Sequence, residues 1–294
     1  MMTLGVFVRE ATEALQTLYP QQEARSVALM LTTALLGTRS YTHVIEPGWP
    51  IPEDKAALLD SSLVRLLEGC PIQYVLEETE FCGRNFKVDP SVLIPRPETE
   101  LLCRAAISHA QNMPKPQGRP LRILDLCTGS GCIAWTLALS VPSAQVTAVD
   151  ISPEALALAA SQQPALPGED CIPPVFLKAD VLALEGIPCE GPYDLILSNP
   201  PYVTISEKAQ MRRNVLDYEP GLALFVPDSD PLRFYLAISR LSRSLMAPGG
   251  WGITEINETL GRETAALFDG EGLRGAQILS DFNGKDRFVS YFRA

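Results

Sequence analysis

The 294 residues are 46% hydrophobic and 20% charged, a globular balance that excludes collagen-like and disordered classes and allows one large domain with a smaller one. The formal net charge of −11, from 35 acidic and 24 basic side chains, lacks the basic excess used to grip a phosphate backbone, so no direct nucleic-acid partner is expected. The cysteines Cys70, Cys82, Cys103, Cys127, Cys132, Cys171 and Cys189 form no CxxC pair and only His43 and His109 accompany them, so reduced thiols and no metal site are expected.

The opening MMTLGVFVRE has no cationic segment followed by a long apolar stretch, and no run approaches the ~20 apolar residues of a membrane helix. A soluble, cytoplasmic chain without a membrane partner is therefore expected. Residues 1–70 read as a helical bundle. In QEARSVALMLTTALLG, Ala24, Val27, Ala28, Leu31, Leu35 and Leu36 recur at helical spacing, and Gly37 is a natural stop. In PEDKAALLDSSLVRLLEG, Pro52 and first-turn acids open a helix with Ala56, Leu59, Leu63 and Leu66 on its apolar face, and Gly69 closes it. Such helices cannot bury their faces singly and must pack together.

Residues 71–96 carry two β-prone runs, 72–75 and 86–88, around the turn-prone Cys82-Gly83-Arg84-Asn85, which predicts a hairpin linking the bundle to the larger C-terminal domain. From residue 97 to 294 the rhythm becomes strand, helix, strand. RILDL leads through a glycine turn into the helical CIAWTLALS. QVTAVD is a second strand, before SPEALALAASQQ with Ser152 as cap and Pro153 at the first helical position. PVFLKAD and YDLILSN are further strands, and GGWGITEI and RFVSYFR close the chain with the helix RETAALFDG between them. This alternation predicts an α/β fold, a parallel sheet covered by helices on both faces.

Strand RILDL runs into DLCTGSGCIA, which places Asp125, Gly129, Gly131 and Ala134 at a strand-to-helix turn. Glycines there let backbone approach a ligand, and the helix N-terminus offers free N–H groups. Asp150 ends the next strand, placed to accept hydrogen bonds from ribose hydroxyls. The spacing alone also fits a dinucleotide fingerprint, so a dehydrogenase is the rival reading. Asp125 tips the balance away from it, though the dehydrogenase stays open as a reading: a carboxylate at this strand end would oppose a pyrophosphate and suits the ammonium and sulfonium groups of S-adenosylmethionine (SAM). ILDLCTGSG resembles the first motif of SAM-dependent methyltransferases, and Asp180 with Val181 stands where that family contacts the adenine.

DLILSNPPYV, residues 194–203, then explains itself. Asn199 is pushed into an extended conformation by the following proline, and Pro200 and Pro201 have fixed φ and no N–H. The segment offers two acceptors on a stiff frame, the Asn199 side-chain oxygen and the Pro200 carbonyl, and Tyr202 adds a flat face. That set suits a conjugated –NH2 group about to receive a methyl. The tetrapeptide alone does not say whose: adenine, cytosine and protein glutamine all carry one.

The stretch PIQYVLEETEFCGRNFKVDPSVLIPRPETELL, residues 71–102, resembles the bacterial release-factor glutamine methyltransferase family (PrmC, also called HemK), most specifically in LIPRPETE at 93–100. YEPGLALF at 218–225 and DFNGKDRFV at 281–289 resemble it too, so the likeness covers essentially the whole chain. It implies a Rossmann-like SAM methyltransferase domain with a mostly parallel seven-stranded sheet, preceded by a small all-α bundle that helps grip the substrate. The implied reaction is methylation of the glutamine in the Gly-Gly-Gln loop of class I peptide-chain release factors, with S-adenosylhomocysteine as product. By position it assigns Asp125, Cys127, Thr128, Gly129, Ser130, Gly131, Asp150, Asp180, Val181 and Asn199 to SAM. Asn199, Pro200, Pro201 and Tyr202 fall to the glutamine, and a monomer is expected. Cys127 stands where the family often has glycine, and Val181 where some members have an aromatic. Arg96 and Glu219 are read either as lining the substrate mouth or as a structural ion pair. A ribosomal-protein glutamine methyltransferase, an adenine or cytosine amino-methyltransferase and a silent SAM-binding module remain as alternatives.

Overall fold

The structure, a computed structural model, describes residues 2–164, 169–184, 186–187 and 191–294; Cys189 lies outside them. Two compact units emerge, Met1–Glu78 with Arg212–Tyr218, and Thr79–Met211 with Glu219–Ala294.

The first unit is helical. α1 (Leu4–Leu15) buries Leu4, Phe7, Val8, Ala11 and Leu15, and α2 (Gln21–Leu36) buries Ala24, Val27, Ala28 and Leu31. Gly37 closes α2 in the left-handed conformation at φ 67°, its N–H donating to the Thr33 carbonyl at 3.0 Å. A short α3 (Thr42–Ile45) precedes α4 (Glu53–Leu67), which turns Leu59 and Leu66 inward. The run 72–75, expected as a strand, is instead helix α5 (Ile72–Leu76). The Pro71 carbonyl accepts from the Tyr74 and Val75 amides, and Arg65 donates to the Tyr74 carbonyl. Burial of Ile72, Tyr74 and Val75 overrides their β propensity. Residues 212–218 join this unit through an Arg212–Glu23 ion pair and a Tyr218 hydroxyl bond to the Glu68 carbonyl. The helical unit thus extends past the expected boundary at residue 70 and recruits a segment from far along the chain.

The hairpin is formed by β1 (Glu78–Phe81) and β2 (Arg84–Lys87). Its turn needs two successive positive φ angles, 51° at Cys82 and 73° at Gly83.

Beyond α6 (Thr99–Asn112), β3 (Arg122–Leu126), α7 (Cys132–Ser140), β4 (Gln145–Asp150), α8 (Pro153–Ala160), β5 (Val175–Lys178) and β6 (Tyr193–Ser198) alternate as expected. Then come β7 (Val203–Thr204), α9 (Arg213–Tyr218), α10 (Gly221–Leu224), β8 (Phe225–Val226), α11 (Arg233–Leu245), β9 (Met246–Glu255), α12 (Gly261–Gly270), β10 (Leu273–Ser280) and β11 (Asp286–Arg293). Seven strands make one sheet in the order β10-β11-β9-β6-β3-β4-β5. The five from β9 to β5 run parallel, and β11 is antiparallel to both its neighbours. The sequence reading omits β10, whose exposed Arg274 and Gln277 and interrupting Gly275 break the apolar run of a buried strand.

The central strands carry the core on both faces. Ile123, Leu195 and Leu197 pack with Leu102 and Ala106 of α6 and Ile133 of α7, while Leu124 and Ile196 pack with Ile238 of α11 and Phe268 of α12. Period-2 alternation sends successive residues to opposite layers, and each fully buried Leu or Ile contributes roughly 1.5–3 kcal/mol. This rigid centre fixes the carboxyl ends of β3, β4 and β6 side by side, where an open α/β sheet places its ligand crevice.

Candidate active site

At the end of β3 the chain turns left-handed at Cys127, φ 61°, the position where the resembled family often has glycine. A non-glycine residue there carries strain of about 1–2 kcal/mol. Gly129 (φ 53°) and Gly131 (φ 78°) complete the turn and deliver the chain into α7. A Cβ on Gly129 would meet nothing within 4 Å, whereas one on Gly131 would stand 2.9 Å from the Ala159 Cβ and 3.2 Å from the Phe176 ring. The first glycine therefore opens space, and the second permits close packing.

Carboxylates hold this turn. Asp150 accepts from the Gly129 amide at 2.8 Å and from the Ser152 amide at 3.0 Å, and Ser152 caps α8 as expected by accepting from the Ala155 amide at 3.1 Å. Burial raises the Asp150 pKa, against the lowering effect of those amides. Asp180 likewise accepts from the Leu182 and Ala183 amides.

A cavity of about 370 Å³ opens over these strand ends, within the roughly 300–1,000 Å³ of small-molecule sites. Cys127, Thr128, Gly129 and Ser130 form its floor, with Asp150, Asp180 and Val181 beside them. Asn199 and Pro201 stand on its wall, together with Val92, Leu93, Pro95 and Thr99. Pro220, Leu222 and Phe234 complete the lining. The structure thus brings most of the expected residues to one cavity.

Four stand elsewhere. Asp125, read as facing a cationic ligand, is wholly buried behind the turn, where its Oδ2 accepts the Thr128 hydroxyl at 2.6 Å. Burial above all, and the neighbouring Asp150, push its carboxyl up to about 7 although the Thr128 hydroxyl and Ala134 amide oppose the rise. Its contact is with the loop and not with the cavity. Gly131 lies under the turn. Pro200 is buried outside the cavity lining. Tyr202, read as a stacking face, packs against the core cluster under α11 and donates its hydroxyl to Glu255 Oε1 at 2.9 Å. Asn257 holds the Tyr202 carbonyl at 3.2 Å. Its ring braces the segment from behind.

Arg96 and Glu219 form an ion pair at 2.7 Å, and Glu219 also accepts from the Ile94 amide at 3.2 Å. Because Pro95 and Pro220 both line the cavity, this pair staples two of its walls.

Two domain families match the chain, the methyltransferase small domain over residues 106–217 and the PrmC N-terminal domain over residues 7–76. The release factor glutamine methyltransferase of Bacteroides thetaiotaomicron is 41% identical over 290 residues, covering 99% of each chain. Those of Flavobacterium psychrophilum and Chlorobaculum tepidum are 37% and 35% identical, covering 98% of each chain and 91% and 90% respectively. The chain belongs to the release factor glutamine methyltransferase family. Its methyltransferase small domain match contains the glycine turn, Asp150, Asp180 and Asn199, and so most of the residues that line the cavity.

Sequence reasoning passes over three residues that build this site. Gln162, buried at 3%, accepts from the Lys87 amide and donates to the Lys87 and Ser130 carbonyls, tying β2 to the glycine turn. Thr99 donates its hydroxyl to Glu255 Oε2 at 2.7 Å and accepts from Asn199 Nδ2 at 3.1 Å. Glu255 is 1% exposed, and burial raises its pKa against the two hydroxyls and Arg287. An acid closing the apolar strand GGWGITEI is the available signal, since a buried carboxylate must be hydrogen-bonded.

Proposed function

We propose that this chain methylates the side-chain amide nitrogen of the glutamine in the Gly-Gly-Gln loop of class I release factors, using SAM and leaving S-adenosylhomocysteine. The observation that carries the reading is that one cavity is lined both by the glycine turn with Asp150 and by Asn199 with Pro201. A cofactor pocket and a carboxamide acceptor share it.

The residues fit SAM. The turn leaves open space at Gly129, Asp150 keeps lone pairs for ribose hydroxyls beyond its two amides, and Val181 offers an apolar edge for adenine. When bound, SAM supplies an activated methyl on a sulfonium centre. The chain does the positioning. Asn199 Oδ1 accepts an N–H of the glutamine amide, and the rigid Pro200–Pro201 frame fixes that acceptor, so the nitrogen is held with its lone pair toward the methyl. The nitrogen gains the methyl and loses one proton to water. No general base is required beforehand, and orientation of this kind is worth on the order of 7–11 kcal/mol in favourable cases. The helical unit, matched by the PrmC N-terminal family, would hold the release factor, in the cytoplasm where translation ends.

Incubation with methyl-labelled SAM, a release factor and its Gln→Ala variant tests this. Label is expected on the intact factor and not on the variant. An unlabelled intact factor, or label on nucleic acid instead, would contradict the reading.

A further inference from the structure

An asparagine side chain can present either its oxygen or its nitrogen, and only the oxygen can accept an N–H. Something must therefore fix which end of Asn199 faces the cavity. A buried relay does so. Glu255, as a carboxylate, has acceptor oxygens only, and both are engaged by hydroxyls: Tyr202 donates to Oε1 at 2.9 Å and Thr99 to Oε2 at 2.7 Å. Thr99 has one hydroxyl proton, and it is spent on Glu255. Its oxygen can then only accept, and it accepts from Asn199 Nδ2 at 3.1 Å. Among the described residues no hydrogen bond is made to Asn199 Oδ1, and both Asn199 and Thr99 line the cavity.

Each step in this chain is forced by the one before it. Reversal would set the Asn199 oxygen against the lone pairs of an oxygen with no proton left to give. The partners come from separate parts of the fold, α6, the end of β9 and the loop after β6, so the relay is rigid only because the sheet is. Thr99 and Glu255 are 2% and 1% exposed, which keeps competing water away from it.

We infer that Thr99 and Glu255 are positioning residues that lock the oxygen of Asn199 toward the cavity, so that the site selects a carboxamide, which brings N–H donors, over a carboxylate, which brings none. The inference rests on the reading of Asn199 as the acceptor for glutamine. It adds that discrimination between glutamine and glutamate is set by two residues standing behind that acceptor.

The test uses the full-length enzyme and a release factor carrying either its native glutamine or a Gln→Glu substitution. Turnover is measured on the former, and competitive inhibition by the latter. The wild type should bind the glutamine form at least about tenfold more tightly than the glutamate form. Thr99→Val keeps the side-chain shape but removes the hydroxyl. It should lower kcat/KM by about 10–100-fold and shrink the glutamine-to-glutamate preference by about tenfold, with SAM affinity within about threefold of wild type. Thr99→Ser, which keeps the hydroxyl, should restore both readouts, and Thr99→Ala replaces the valine variant if that fails to fold. A folded Thr99→Val or Thr99→Ala enzyme with unchanged preference would overturn the inference. So would a wild type that binds both forms equally, a result independent of any enzyme variant. Absence of methyl transfer by the wild type to the release factor would instead bring down the functional reading beneath it.

Discussion

The two walls of the cavity are built in opposite ways. The glycine turn is held mostly by partners nearer along the chain: Thr128 bonds Asp125 three residues away, Ser152 bonds Asp150 two away, Gly129 bonds Asp150 across 21 and Gln162 bonds Ser130 across 32. The Asn199 wall is held by distant ones, with separations of 100 for Asn199–Thr99, 156 for Thr99–Glu255 and 53 for Tyr202–Glu255. The first wall presents main-chain amides and open space, and its precision comes from backbone conformation. The second presents one side-chain group, and its precision comes from a relay that exists only in the folded sheet. A site that binds a cofactor and orients a substrate can thus divide the two tasks between local and long-range structure.

This contrast can be sharpened at Gly131. If the glycine turn owes its shape to close packing, Gly131→Ala should strike the fold itself. The added Cβ meets the Ala159 Cβ at 2.9 Å and must adopt φ 78°, so overpacking and left-handed strain together cost roughly 2–5 kcal/mol. A large fall in Tm is expected. An unchanged Tm would show that the turn relaxes freely, and the contrast would fail on that side.

A smaller effect concerns Asp125. Burial gives this carboxyl a folded-state pKa of about 7, above its unfolded value, so the folded state binds the proton more readily. The stability it contributes is fully present below the unfolded pKa and is lost as pH rises through about 7. Asp125→Asn retains an acceptor for Thr128 but does not titrate. The stability of this variant relative to wild type should therefore increase between pH 6 and pH 8, by on the order of 1 kcal/mol. Denaturant unfolding at the two pH values measures it. A pH-independent difference would mean that Asp125 does not carry the strain of burial assigned to it.

The same division explains what can be read from the sequence. Strands β3 and β4, helix α7 and the Ser152 cap are legible because their signals, apolar runs, glycines and a capping serine, are local. Asp150 and Asn199 are legible as cavity residues for the same reason. The run 72–75 misleads because burial against neighbouring helices outweighs propensity, and β10 escapes because a half-exposed strand lacks a continuous apolar signature. Asp125 and Tyr202 can be identified as residues but not in orientation: their motifs mark the loop, whereas the direction each side chain takes depends on Thr128 in one case and Glu255 in the other. Thr99 falls within LIPRPETE but, like Glu255, shows no sign of its role, because neither is near its partners in the chain.

The most direct test of the division of labour is to measure SAM affinity and turnover together in Asn199→Ala and Asp150→Ala. Loss of the acceptor in Asn199→Ala should cut turnover by about 100–1,000-fold while leaving the SAM dissociation constant within about threefold. Asp150→Ala should raise that constant by about 10–100-fold. Collapse of SAM binding in Asn199→Ala, or unchanged binding in Asp150→Ala, would contradict the account.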